Sequence, residues 1–551
     1  AVSRELSRQF AFLRMGKSLV RYPLKRQGSS FAKPEEIEFA TAADNDPYGF
    51  KPTDVVVQRD GTLMVSDYAD GQRPKRGRGR IYHIRFDGPV QQEKPVMEDA
   101  PLDDLLEALH SPSYFRRCDA QRAIERRDEA GAKGVAEALE AKKLPAQARL
   151  HAIWILAHLQ HGEAIGTLLE LAESDGDDRV RGQAVRAIAD LADPVLVHHK
   201  LDAGPGSEIL AKRLTNLPGH LSRVRLEKLT ALGRLKGGGL ALLANEMPRD
   251  QTIDHAAARA LRSARNWPAT LQMLNHKAPS ETAALHAMAD IHDPVIVDGL
   301  VGMLGKKPLE QRELYADLLA RVYKKPPPWA YWDYRPKPRP SNTVSWERTE
   351  AIGAALNKIL LDPESSVRVA VLKRMQREKV PVELQVLGKW LEEERDGASV
   401  GLLLAALKEH SPRDARPLLE KVIASAKQSD GNRLAAVELF VQGPDRPAAG
   451  QFLKLASAMN DDPILAALLG SSAAIAKADA IPLLRSKLAS AQPLVQAAAI
   501  EQLAELKSEE GRTGLMPLLT SGSPLVRRAA ALAAGKLEER EAVEPLVKLA
   551  G

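Results

Sequence analysis

Residues 490–506 read SAQPLVQAAAIEQLAEL, and residues 521–537 read SGSPLVRRAAALAAGKL. Each opens with a short polar turn, sets a proline at the first helical position, and continues with apolar residues at helical spacing. Proline is accepted there because the first N–H groups of a helix have no partner inside it. Pro493 and Pro524 lie 31 residues apart. The same unit recurs as DGDDRVRGQAVRAIADLAD (175–193) and DPESSVRVAVLKRM (362–375), and IADLADPVLV (188–197) is echoed by MADIHDPVIV (288–297). Paired helices repeating at this period define an α-solenoid, in which each pair buries an apolar face that its neighbour must cover. The short pitch suits compact HEAT-type units. The solenoid is expected over 101–322 and again over 347–551.

Composition agrees. The chain has 551 residues, too many for one ordinary core, and is 44% hydrophobic but only 4% aromatic, so its apolar content is mainly Ala, Leu and Val. Lys plus Arg is 78 against 72 for Asp plus Glu, a net +6 that is mild for this length and does not by itself call for nucleic acid. The one cysteine, Cys118, allows neither an intrachain disulfide nor a Cys-rich metal site. No run approaches the ~18 apolar residues of a membrane span, and AVSRELSRQF at the start carries no signal-peptide core.

Residues 1–95 read differently. Phe10–Met15, Ser29–Phe39, Thr53–Gln58, Thr62–Asp67 and Gly79–Phe86 are short, partly alternating runs, with a tight turn at Arg59-Asp60-Gly61. Strands of this kind make a β-propeller blade. The expectation is the last blade, and part of the one before it, of a propeller whose earlier blades are missing; a small sheet resting on the helices is the alternative. The fold class is thus mainly α, a HEAT-repeat solenoid preceded by a small antiparallel β region.

Residues 323–346, YKKPPPWAYWDYRPKPRPSNTVSW, interrupt the helical pattern with six prolines. They hold three of the six tryptophans and three of the nine tyrosines. Proline ends helices, and Trp, Tyr and Arg together make binding hot spots and cation–π platforms. Trp329, Tyr331, Trp332, Tyr334, Arg335, Arg339 and Trp346 are the binding candidates. A stiff segment filling the solenoid groove is the favoured reading, and direct partner contact the other.

Other constellations are weaker. In the β region Asp54, Asp67, Asp70 and Arg80 sit where channel-lining residues of a propeller would lie, although blade aspartates more often fix turns. RPKRGRGR (73–80) has five basic residues in eight but no flanking aromatics for base stacking, and is read as a solvated loop. His151, His158 and His161 cluster in one helical stretch without a well-spaced carboxylate, so they are read as core-edge residues rather than a metal site. Asp103-Asp104 and Asp177-Asp178 fall at helix starts, where carboxylates cap free N–H groups. Gly237–Gly239 follows no strand and is read as a turn. No nucleophile elbow, zinc-protease, P-loop or dinucleotide motif is present.

Taken together, KPTDVVVQRDGTLMVSDYADG and RGRGRIYHIRFDG, then RLHAIWIL, then WAYWDYRPKPRPSNTVSWERTEAI followed by further repeats resemble a family of planctomycete-type membrane-bound dehydrogenase, haem-binding multidomain proteins. The resemblance implies a sugar-dehydrogenase-like propeller before HEAT repeats, an extracytoplasmic (periplasmic or membrane-associated) location, and a c-type cytochrome domain with C-x-x-C-H downstream. This chain lacks most of such a propeller and has no C-x-x-C-H. It is expected to be a fragment that is non-catalytic by itself and holds no cofactor, with haem entering only through a downstream domain. Its expected partners are proteins or neighbouring domains of the same polypeptide, with nucleic acid disfavoured. The alternatives are a piece of a sugar- or alcohol-oxidising dehydrogenase and a cytoplasmic solenoid that binds nucleic acid or protein.

Overall fold

The computed structural model describes residues 9–14, 18–43, 50–68, 79–88, 95–218, 222–237, 250–276, 280–327, 343–443 and 445–550. The chain divides into two compact units, Ala1–Ala289 and Asp290–Gly551.

The first unit begins with strands β1 (Gln9–Arg14), β2 (Ser18–Pro23), β3 (Arg26–Gln27), β4 (Ser30–Phe31), β5 (Ile37–Thr41), β6 (Pro52–Val57), β7 (Leu63–Asp67) and β8 (Arg80–Ile84). They form antiparallel sheets in the orders β1-β2-β5, β3-β4 and β6-β7-β8. The run Ser29–Phe39 is not one strand: it is cut into β4 and β5 by residues 32–36, where Pro34 has no N–H to give a ladder. Strand β2 was not anticipated. The β6–β7 turn forms as expected, with Gly61 at φ +79° and the Asp60 carboxylate accepting from Thr62 N at 3.0 Å and Thr62 Oγ1 at 2.6 Å. In β7, Leu63, Val65 and Asp67 are buried while Met64 and Ser66 are half-buried, the period-2 pattern of a sheet with one covered face. Leu19, Phe50 and Val65 form the core shared by the two larger sheets.

Helices then follow to the end of the unit. Tyr114–Glu125, Ala146–Gln160, Asp178–Ala192, Ser222–Leu235, Gln251–Ala264 and Ser280–Met288 pack side by side in sequence order as one layer. Their shorter partners include Leu102–Ala108, Asp128–Glu140, Ile165–Ser174 and Glu208–Asn216. The core is built from small residues: Ala120, Ala148, Ala152, Ala164, Ala184 and Ala187 are all fully buried, which lets helices pack closely without aromatics. Two contacts tie the β region to this array. Asp250, the N-cap of Gln251–Ala264, accepts from Ser29 N at 2.7 Å, and Arg59 pairs with Asp119 at 2.6 Å while lying over the Phe115 ring.

The second unit repeats the plan. Leu309–Arg321, Ser365–Glu378, Gly397–Leu407, Asp430–Val441, Pro463–Leu469, Pro493–Glu505 and Pro524–Leu537 form its ordered layer. Pro493 and Pro524 occupy the first turns of their helices, as the repeat pattern requires. The sequence echo also has a physical basis: Asp193 and Asp293 each N-cap a helix opened by proline, accepting from Val195 N and Val295 N at 2.9 Å.

A basic or amide side chain early in the second helix of a pair clamps the preceding turn. Arg117 donates to Ser111 O, Arg149 to Leu144 O and Arg527 to Ser521 O, each at 2.8 Å; Arg368 donates to Asp362 O at 3.0 Å and Arg433 to Ile423 O at 2.9 Å. Lys228 does the same with Thr215 O and Leu217 O. These carbonyls lie at or beyond helix C-termini, where no N–H of the same helix can reach them. These basic side chains are therefore part of the frame of their repeats.

Candidate interaction site

The Pro/Trp/Arg segment leaves the second unit between helices Leu309–Arg321 and Thr349–Ile359. Its ends are pinned together. Lys325 N donates to Val344 O at 2.9 Å and Val344 N to Lys325 O at 2.8 Å, an isolated antiparallel bridge. Beneath it, Trp346 Nε1 donates to Val322 O at 2.8 Å, Trp346 N to Thr349 Oγ1 at 2.9 Å, and Thr349 Oγ1 to Tyr323 O at 2.8 Å. His292 Nε2 donates to Lys324 O at 3.0 Å, and its ring meets Trp346 edge to face with centroids 5.6 Å apart. Burial raises the Tyr323 phenol above its ordinary pKa, and Lys324 lies over that ring at 5.8 Å. Arg348, just past the neck, makes a bidentate pair with Asp298 at 2.9 Å. Three consecutive carbonyls, of Val322, Tyr323 and Lys324, are thus satisfied by side chains from elsewhere in the unit, where a helix C-terminus would otherwise leave them bare.

Of the seven binding candidates, Trp346 is therefore in the neck, half-buried. Trp329, Tyr331, Trp332, Tyr334, Arg335 and Arg339 lie outside the described residues. Sequence reasoning missed His292, Tyr323 and Thr349 as neck residues. A signal existed for His292: in the echoed phrases IADLAD and MADIHD it stands where the first copy has Ala192.

In the β region the structure joins two of the four candidates through a residue not singled out. Asp67, 4% exposed, faces Arg80 across the β7–β8 ladder. Arg80 Nη1 donates to Tyr82 Oη at 2.8 Å, Tyr82 Oη to Asp67 Oδ2 at 3.4 Å, and Lys51 N to Asp67 Oδ1 at 2.9 Å. This chain of bonds fixes the sheet end. Asp54 is exposed on the opposite face of its strand and accepts from Val55 N at 2.8 Å. Asp70 and residues 73–78 of the basic run lie outside the described residues, as do Gly238 and Gly239.

The histidines do not converge. His151 is half-buried; its Nε2 accepts from Arg117 Nε at 3.2 Å and its Nδ1 donates to Gln121 Oε1 at 2.7 Å. Burial, aided by the Arg117 charge, lowers its pKa to about 4, so the neutral ring is an acceptor in the frame. His158 and His161 are exposed. Among the described residues no group of three or more His, Cys, Asp or Glu is placed to hold a metal ion, and no helix is long and apolar enough to cross a membrane. Asp177 caps Asp178–Ala192 as expected, its pKa held at about 2, chiefly by the hydrogen bond from the Arg179 side chain.

No curated protein matches this sequence. Among solved structures, similarity extends to Kap121p, at 16% identity with a TM-score of 0.29 over 81% of this chain and 49% of that one. Kap121p bound to Ste12p is similar at 11% identity with a TM-score of 0.34, over 80% and 54%, and Kap121p bound to Pho4p at 12% with 0.34, over 81% and 54%. The chain spans about half the length of these structures. Residues 132–199 and 481–551 match the family model for HEAT repeats, and the protein is a mainly helical HEAT-repeat solenoid with small antiparallel sheets at its N-terminal end.

Proposed function

We propose that this chain is a protein-interaction scaffold and that the segment held by the Lys325–Val344 neck is its main docking element. The observation that carries this reading is the neck itself. Backbone bonds, Trp346, Thr349 and His292 hold both ends of an aromatic- and arginine-rich segment at one place on a repeat frame. Trp, Tyr and Arg supply most of the energy of many protein interfaces. Trp329, Tyr331, Trp332, Tyr334, Arg335 and Arg339 would make the contacts, with Trp346 positioning them.

The finer setting rests on the resemblance. It places the scaffold outside the cytoplasm, between a propeller completed by upstream blades and, in longer relatives, a cytochrome domain. Two antiparallel three-stranded sheets sharing the Leu19–Phe50–Val65 core support the partial-blade reading of residues 1–95. In that setting Asp54, Asp67 and Arg80 belong to the blade.

The test uses the chain beside a variant with residues 328–342 replaced by a Gly/Ser linker, and beside Trp332→Ala, each immobilised and cross-linked to the proteins of its source. The expected result is a partner set that the intact chain retains and both variants lose by about tenfold, with unchanged melting. Equal capture by all three would sink the docking role, and lower melting of Trp332→Ala with partners retained would assign the segment to groove filling. Salt-dependent binding of duplex DNA by the intact chain, stronger than that of any protein partner, would favour the nucleic-acid alternative.

A further inference from the structure

A second surface, in the first unit, has a chemistry of its own. Helices Gln251–Ala264 and Ser280–Met288 pack side by side, and a groove of about 650 Å³ runs along them. Gln251, Asp254, His255, Ala258, Arg259 and Arg262 line it at helical spacing, with His286 from the other helix. The depression exists because its floor is a small residue, Ala258, 6% exposed, where a longer side chain would fill it.

The cations of this groove are not all committed to the fold. Arg262 is held rigidly, its Nε and Nη2 donating to the carbonyls of Ala287, His286 and Ala289 at 2.8–2.9 Å. That anchors a full positive charge at the groove wall. Arg259 is exposed, and among the described residues its guanidinium and the His255 and His286 rings have no hydrogen-bond or ion-pair partner. The half-buried Asp254 carboxylate is already engaged. Arg149, Arg234, Arg348 and Arg374, by contrast, are each paired with an acid. A free guanidinium beside a fixed one, with two imidazole donors in a recess, is arranged for an incoming anion.

We infer that this groove binds a carboxylate-rich peptide segment of a partner protein, with Arg259 as the principal contact and Arg262, His255 and His286 as supporting donors. A guanidinium fork matches a carboxylate with two parallel hydrogen bonds. A nucleic-acid strand fits less well. Tracking a phosphate backbone calls for a longer positive stripe and stacking rings, and among the described residues that line the groove there is no Phe, Tyr or Trp. The inference rests on the scaffold reading but uses a different surface from the neck.

The probe is fluorescein-labelled hexaglutamate, followed by polarisation with the full chain at low and at physiological salt. The intact chain is expected to bind it. Arg259→Glu and the groove-filling, charge-neutral Ala258→Leu should each weaken binding at least about tenfold. Arg528→Glu, an exposed arginine in the second unit, should leave it within about twofold. Matching far-ultraviolet dichroism keeps misfolding out of the comparison. Equal binding by the intact chain and Arg259→Glu, or equal losses in Arg259→Glu and Arg528→Glu, would overturn the site. So would duplex DNA binding that exceeds peptide binding and is lost in Arg259→Glu. If the peptide fails while the neck-dependent partner capture persists, the groove falls and the scaffold stands; if capture fails while the peptide binds through Arg259, the reverse holds.

Discussion

Arg149 Nε and Nη2 donate to Asp175 Oδ2 and Oδ1 at 2.8 and 2.9 Å, so the second helix of one repeat grips the turn of the next. The same arginine clamps Leu144 O in its own repeat, and Asp175 also accepts from Asp177 N at 2.8 Å. The Asp175 side chain is 5% exposed and that of Arg149 23%, so the pair is largely shielded from water and salt. Arg433 with Asp462 and Arg368 with Glu394 make related contacts between successive repeats. Stability in such an array is close to a sum of repeat and interface terms, and these pairs belong to the interface terms.

Removing either partner of the Arg149–Asp175 pair should therefore weaken one junction rather than the whole chain. Arg149→Ala and Asp175→Ala are each expected to cost about 2–4 kcal/mol, with a coupling of about 1–3 kcal/mol in the double variant. Native-state hydrogen exchange should show the loss in Ala146–Gln160 and Asp178–Ala192. Additive single losses would show that the two side chains act independently.

His151 makes the first unit sensitive to acid. Its pKa of about 4 in the folded chain lies below the ordinary 6.5, so the unfolded chain binds the proton more readily between those values. Its contribution to stability is present above pH ~6.5 and is lost as the pH falls towards ~4. His151→Gln keeps an acceptor and a donor but cannot titrate. Its melting temperature should fall less than that of the natural chain between neutral pH and pH ~4.5, whereas identical acid profiles would remove His151 from the account.

At the neck, Trp346→Phe removes the Nε1–H that satisfies Val322 O, at an expected cost of about 1 kcal/mol. Trp346→Ala also removes the ring that packs on His292 and should open the neck. Limited proteolysis within residues 326–343 is expected to accelerate several-fold in Trp346→Ala and only slightly in Trp346→Phe. No change in either variant would mean that the Lys325–Val344 bridge suffices alone.

Gly28 lets the β3–β4 turn meet the solenoid. It sits at φ +58°, and a Cβ there would lie 2.4 Å from Asp250 Oδ2, the atom that accepts from Ser29 N. Gly28→Ala should cost about 1–2 kcal/mol from backbone strain alone, and more if Asp250 is pushed from its cap. Faster exchange of the Ser29 amide in both Gly28→Ala and Asp250→Ala would report release of the turn; protection in both would refute the link.

The helical repeats were legible because their information is local. Proline at the first turn, Ser or Asp at the cap, and Ala and Leu at helical spacing set each helix within a few residues of itself. The hairpin around Gly61 was legible for the same reason. The break between β4 and β5 and the extra strand β2 were not, because strand limits depend on which partner is available to pair. The clamping Arg368 and Arg527 lay in plain sight in VRVAV and VRRAA, yet their carbonyl partners become visible only once the preceding helix has ended beside them.

By itself, then, the sequence determined the repeat, its alanine-rich packing and the point where an aromatic, proline-rich segment interrupts it. Only the tertiary structure decided what holds that segment's ends. Val322, Tyr323 and Lys324 present three carbonyls that Trp346, Thr349 and His292 meet, and the histidine comes from a turn some thirty residues earlier in the chain. It likewise decided which arginines stay free. Arg149 and Arg259 look alike as residues on repeat helices, but packing sets a carboxylate beside one and an open groove beside the other. Helical spacing is fixed by backbone bonds within one turn, whereas the pairing of charges depends on which helices the fold brings side by side.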